Sequence, residues 1–149
     1  MATRNHGQSK SPERKQRFED ERAFFLRHCI INHKRHTERL REIHYIINDN
    51  SQGMTQRFSD EPGGGHKELN NMESRMHRNE YLETEQDELI GRIRVTKRAA
   101  NLSPMIQTMV RDGVSIRRYG DIYKMSYRQA LKQFDEEVRR VAGNAMKSE

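Results

Sequence analysis

Val114 to Val141 reads VSIRRYGDIYKMSYRQALKQFDEEVRRV, and its apolar spacing predicts a helix, a tight turn and a second helix. Ile116, Tyr119 and Tyr123 recur at helical intervals, and Gly120 stands where a close helix–helix approach needs a residue without a side chain. Ser126 is placed to cap the second helix, with Gln129 three residues on to reach back to the cap backbone. Ala130, Phe134, Val138 and Val141 then form an apolar stripe. Lys124 and Met125 leave only a few residues for the turn. Met125 is positioned to plug the angle between the helices, as a helix-turn-helix requires.

A unit of this kind reads DNA with long polar side chains near the start of its second helix, on the face away from the core, because that end enters the major groove. Tyr127, Arg128, Gln129, Lys132 and Gln133 meet this description. Arginine can donate two bonds to guanine and glutamine can pair with adenine, while Arg117, Arg118, Lys124, Arg139 and Arg140 are available for phosphates. A polar outer face is equally what any amphipathic helical hairpin carries, and Asp135, Glu136 and Glu137 would repel DNA if they faced it.

The chain has 149 residues, enough for one domain with tails or two small units. Hydrophobic residues make up 32% and charged residues 34%, with no Trp, so the core is thin and oligomerisation would support it. The net charge of +6 favours an anionic partner, nucleic acid the commonest for such a chain, with acidic proteins and membrane surfaces as alternatives; with the helix-turn-helix pattern, the partner expected is double-stranded DNA. No apolar run reaches bilayer length and the first residues, MATRNHGQSKSPERK, lack a secretory segment, so no membrane partner and a cytoplasmic location in a bacterial host cell are expected. A single cysteine, Cys29, excludes an intrachain disulfide.

In chain order, residues 1–10 read as a disordered tail. Ser11-Pro12-Glu13 carries the signals of a helix start, and one long helix is expected over 11–48. Phe18, Phe25, Cys29, Leu40, Ile43 and Ile47 supply its apolar positions, and Phe24, Leu26, Ile30, Ile31 and Ile46 widen the stripe enough to contact a second copy as well as its own chain. Residues 49–71, with Gly53, Pro62 and the run Gly63-Gly64-Gly65, read as a flexible Gly-rich loop. The triple glycine is followed by His66-Lys67-Glu68 and not by the Lys-Ser or Lys-Thr of a phosphate loop. A helical DNA-binding domain is expected over 72–142, its first helix starting somewhere in 69–80, running to about Ala100 and carrying Tyr81, Leu82, Leu89, Ile93 and Ala100 on or near one face. Ser103 and Pro104 start a short helix that Asp112-Gly113 closes. The helix-turn-helix follows over 114–141, and 143–149 reads as a frayed tail.

Cys29, His33 and His36 fall on one helical face, with His28 and His44 nearby, and thiolate and imidazole at such intervals can share a zinc ion. Structural zinc takes four ligands divided between elements, and no second cysteine exists, so the residues favour a polar, pH-sensitive strip. No catalytic residues, metal or cofactor are expected, and no enzymatic activity.

Ser115-Ile116, Tyr119-Gly120 and Met125-Ser126, together with the order of parts over about residues 20–142, resemble the small phage late-gene activators of the ArpU and RinA type, which carry a C-terminal helix-turn-helix similar to the promoter-reading region of sigma factors. In this chain Lys124 occupies a turn position where that motif commonly has Gly, and Gln133 stands where an apolar residue is usual. The resemblance implies a non-enzymatic, sequence-specific DNA-binding regulator that touches host RNA polymerase, all-α in fold and a homodimer or higher oligomer. Two alternatives share the same composition: a phage terminase small subunit, and a basic protein-binding module or inhibitor.

Overall fold

The start of each C-terminal helix is fixed by a serine. Ser103, Ser115 and Ser126 all adopt extended backbone, and their hydroxyls accept from the amides of Ile106, Arg118 and Gln129. At Ser126 the bond is reciprocated, since its own amide donates to Gln129 Oε1 at 3.0 Å, completing a capping box. The computed structural model describes residues 6–60 and 65–147, with side chains described over 12–50 and 72–147. Among these residues the protein is all-α, with six helices and no strand. They are α1 (His6–Ile31), α2 (His33–Asp60), α3 (Gly65–Leu102), α4 (Pro104–Asp112), α5 (Ile116–Ile122) and α6 (Tyr127–Ala145).

Several boundaries differ from those the residue pattern predicts. The single helix expected over 11–48 is two helices, α1 and α2, parted at Asn32. The Asn32 amide nitrogen donates to the His28 carbonyl at 2.9 Å while its backbone N–H bonds the same oxygen, a local pairing through which asparagine competes with helix continuation. α1 begins at His6, so Ser11-Pro12 is not its start and Pro12 lies inside it. Residues 1–5 of the expected tail lie outside the described residues. The loop expected over 49–71 is mostly helical: α2 continues to Asp60 and α3 begins at Gly65, ahead of the expected 69–80, while 61–64 lie outside the described residues. An isolated glycine such as Gly53 costs a helix only about 1 kcal/mol, which does not terminate it. At the other end, the expected tail from Gly143 is the last turn of α6, with Ala145 buried.

The helices form two compact units. One takes in residues up to 34 together with those from 93 onward, and the other spans 35–92. The chain therefore does not divide into an N-terminal helix and a domain over 72–142, because α1 packs on α6.

In the larger unit, Phe134 is fully buried and is the largest such side chain. Around it gather Ala23, Leu26 and Ile30 of α1, Ala99 and Ala100 of α3, Met105, Ile106 and Met109 of α4, Ile116 and Tyr119 of α5, and Ala130, Val138 and Val141 of α6. Arg140 donates to the Leu102 carbonyl at 3.1 Å, so α6 satisfies an orphan acceptor at the end of α3. α4 closes on Gly113, whose φ of 64° is left-handed and whose N–H bonds the Met109 carbonyl. Tyr123, expected on the inner face of α5, is instead half exposed, its ring tilted against that of Tyr119 at a centroid distance of 4.4 Å.

The smaller unit is a helical hairpin with a heptad seam. His36, Leu40, Ile43, Ile47 and Asn50 on α2, and Met72, Arg75, Asn79, Leu82, Gln86 and Leu89 on α3, are all at least partly buried and follow one another in alternating steps of three and four. Ile43, Leu82 and Leu89 are its apolar centre, whereas Tyr81, expected on the buried face, is 72% exposed. The Asn50 amide donates to Asn79 Oδ1 at 3.1 Å, a polar pair that any slip of register would separate. Arg39 grips Glu85 through two bonds, of 2.8 and 3.1 Å, and holds that carboxyl below its ordinary range.

Gly120 faces the α5–α6 turn so closely that an added Cβ would lie 3.0 Å from the Met125 carbonyl oxygen and 3.4 Å from Ala130 Cβ, whereas one at Gly91 in α3 would meet nothing within 4 Å. The same substitution therefore has opposite signs at the two positions. In urea denaturation Gly120→Ala is expected to lower stability by about 1–2 kcal/mol, the steric cost outweighing its gain in helix propensity, and Gly91→Ala to raise it by up to about 1 kcal/mol.

Candidate nucleic-acid interface

The turn between α5 and α6 is tied by the Met125 N–H, which bonds the Gly120 carbonyl at 2.7 Å, and by the Tyr123 N–H on the Tyr119 carbonyl at 3.0 Å. To reverse direction within so few residues, Lys124 takes a φ of 56°. It is the one non-glycine with positive φ among the described residues. A non-glycine residue in this region costs about 1–2 kcal/mol, so the sequence retains a cation at the tip of the turn against its own backbone preference.

From this turn α6 departs with its stripe of Ala130, Phe134 and Val138 buried. The opposite side of its first two turns carries Arg128, Gln129 and Lys132, all exposed, with Gln133 partly buried at the margin. Phe134 points inward, and Gln133, about 100° from it around the helix, lies at the margin of the core. Arg117, Arg118 and Lys124 are exposed on α5 and the turn, and the Arg117 guanidinium sits 5.3 Å from the centroid of the half-exposed Tyr127 ring. These eight residues thus lie on α5, the turn and the start of α6.

Three of the predicted contacts are affected by the geometry. Gln129 Oε1 accepts from the Ser126 amide, so a two-bond contact with adenine requires the oxygen to share its lone pairs or the capping box to open. Arg139 and Arg140 are engaged within the protein, Arg139 with Asp20 at 2.7 Å and Arg140 with Glu137 at 2.7 Å as well as with the Leu102 carbonyl. They are not idle cations awaiting phosphate. Of the acids that would repel DNA, Asp135 pairs with Arg27 at 3.3 Å and Glu137 with Arg140, while Glu136 is exposed without an ion pair among the described residues. Arg118, Lys124, Arg128 and Lys132 likewise make no ion pair among the described residues, which leaves their charge unneutralised.

The Cys29 thiol is buried and in no disulfide. Among the described residues, no three His, Cys, Asp or Glu side chains gather as a metal site requires. No helix among them is long and apolar enough to cross a membrane. Compared with known proteins, the chain matches no family model, no curated protein and no solved structure.

Burial, and then the charge of Lys97, push the His33 imidazole below its ordinary range. An imidazole whose folded pKa is depressed contributes stability that is complete above the unfolded value of about 6.5 and is lost as pH falls toward the folded value. Thermal unfolding of the chain is therefore expected to shift downward between neutral and mildly acidic pH, and His33→Gln to show a smaller shift across the same interval.

Proposed function

We propose that this chain is a sequence-specific reader of duplex DNA and a transcriptional regulator of the phage late-gene activator type, with α5 and α6 acting as a helix-turn-helix. The observation carrying this reading is the charge exposed along α5, the turn and the start of α6. Residues 115–133 hold five cations, Arg117, Arg118, Lys124, Arg128 and Lys132, against one acid, Asp121. The two following acids nearest the core are held in ion pairs with Arg27 and Arg140. Such a face attracts the phosphate backbone, and a helix start carrying Arg and Lys on its outer side fits the major groove.

The roles divide by position. Arg128 and Lys132 lie on the outward side of α6, one turn apart, and read base edges, with Gln133 at the margin. Arg118 and Lys124 meet phosphates on either side and set the register of the helix in the groove. Arg117, stacked on Tyr127, holds that ring at the mouth of the groove. As an activator bound near a promoter, the chain has host RNA polymerase as its further partner.

Selection of bound duplexes from a random library, followed by anisotropy titration of the winner against a scrambled control, tests the reading. A regulator prefers its site by about 10³-fold or more. Arg128→Ala is expected to cost about 1–3 kcal/mol and to relax the preference at particular base pairs, while Lys124→Ala weakens all duplexes alike and lowers the salt slope by about one. Equal binding of every duplex by the wild-type chain would show an electrostatic footprint alone and defeat the proposal.

A further inference from the structure

α1 lies against α6 through two ion pairs, Asp20 with Arg139 at 2.7 Å and Arg27 with Asp135 at 3.3 Å. These four residues rim a groove of about 290 Å³ also lined by Ala23, Phe24 and Val138. Phe24 is 74% exposed, the most exposed large apolar side chain among the described residues. Ile31, seven residues on and so on the same side of the helix, is 53% exposed. Leaving a phenyl ring in water beside an apolar-floored groove forgoes the burial of up to about 150–250 Å². Something of complementary shape and charge is expected to cover it.

The charges flanking Phe24 identify the occupant. On its side of α1, Asp20 and Glu21 stand four and three residues before it and Arg27 three residues after it, while Arg22, which also precedes it, lies over the Phe18 ring. Two copies of α1 crossing antiparallel at Phe24 set Glu21 of one beside Arg27 of the other, twice over by symmetry. A parallel arrangement opposes like charges. A helix face with an acid three residues before an exposed aromatic and a base three residues after it is thus complementary to itself under a two-fold axis, the requirement for an isologous interface.

We propose that the chain forms a two-fold dimer through the Phe24 face of α1, each Phe24 entering the groove between α1 and α6 of the other copy. Arg27 keeps its pairing with Asp135 and takes Glu21 of the other copy as a second acid. The apolar patch is small, so self-association falls in the micromolar range, short of an obligate dimer. Only one consequence rests on the DNA-reading proposal: the dimer presents two reading helices and selects an operator with two inverted half-sites.

Sedimentation velocity of the full chain over the micromolar range tests the interface without DNA. The wild-type chain is expected to move from monomer to dimer, and Phe24→Glu to raise the dissociation constant by about 30-fold or more while leaving helicity and melting temperature unchanged, because the side chain is exposed in the monomer. Glu21→Arg, which sets like charges across the interface without removing an ion pair within the chain, is expected to weaken association as well and serves if Phe24→Glu fails to fold. A wild-type chain that remains monomeric, or a Phe24→Glu chain that dimerises as the wild type does, would overturn the proposal. Binding of Phe24→Glu to a single half-site separates the two readings: retained sequence preference with lost dimerisation supports both, whereas a dimer that lacks any sequence preference upholds the interface and defeats the regulator.

Discussion

The contact of Gly120 with the backbone at Met125 is the constraint on which the larger unit depends. Only a residue without a side chain lets α5 approach the turn so closely that its own carbonyl receives the Met125 N–H. That approach fixes where Ser126 stands, and Ser126 with Gln129 fixes where α6 begins. With its start defined, α6 delivers Ala130, Phe134, Val138 and Val141 to one interior, and the helices from α1 to α5 that touch this interior pack around Phe134. The left-handed Lys124 is the local cost of the same reversal.

The exposed face follows from the buried one. Once Phe134 points inward, helical geometry sends Arg128 and Lys132 outward and leaves Gln133 at the margin. Farther along α6 the polar residues serve a different purpose, since Asp135, Glu137, Arg139 and Arg140 are spent on α1, on each other and on the end of α3. One helix therefore has an outer surface split in two: a first part whose cations make no ion pair among the described residues and a second part whose charges hold the unit together. Counting charges along the helix hides this division, because both parts look alike as a list of residue types.

The smaller unit uses another principle. Its apolar centre is only Ile43, Leu82 and Leu89, with Leu40, Ile46 and Ile47 against it. Register there is supplied by polar pairs, Asn50 with Asn79 and Arg39 with Glu85. In a search for apolar stripes Arg75, Asn79 and Gln86 look like surface residues, and for that reason the heptad through α3 was not legible as a seam. Reading the three-four spacing through polar as well as apolar positions would have revealed it.

Local chemistry sufficed for the caps at Ser103 and Ser126, the glycine stop at Gly113, the close approach at Gly120 and the inward stripe of α6, because each depends on residues within one or two helical turns of one another. The exposure of the eight candidate DNA-binding residues was legible in the same way, apart from the partial burial of Gln133. What the sequence by itself determined is thus an all-helical chain, the course of its last three helices and the face that α6 turns outward. Only the tertiary structure decided that α1 completes the core of the C-terminal helices, that Arg139 and Arg140 are occupied, and that Phe24 stays exposed while Leu26 is buried. The reason is physical: α1 and α6 are distant in sequence, and which of several apolar residues on a broad stripe is covered depends on the partner helix, which spacing along α1 does not encode.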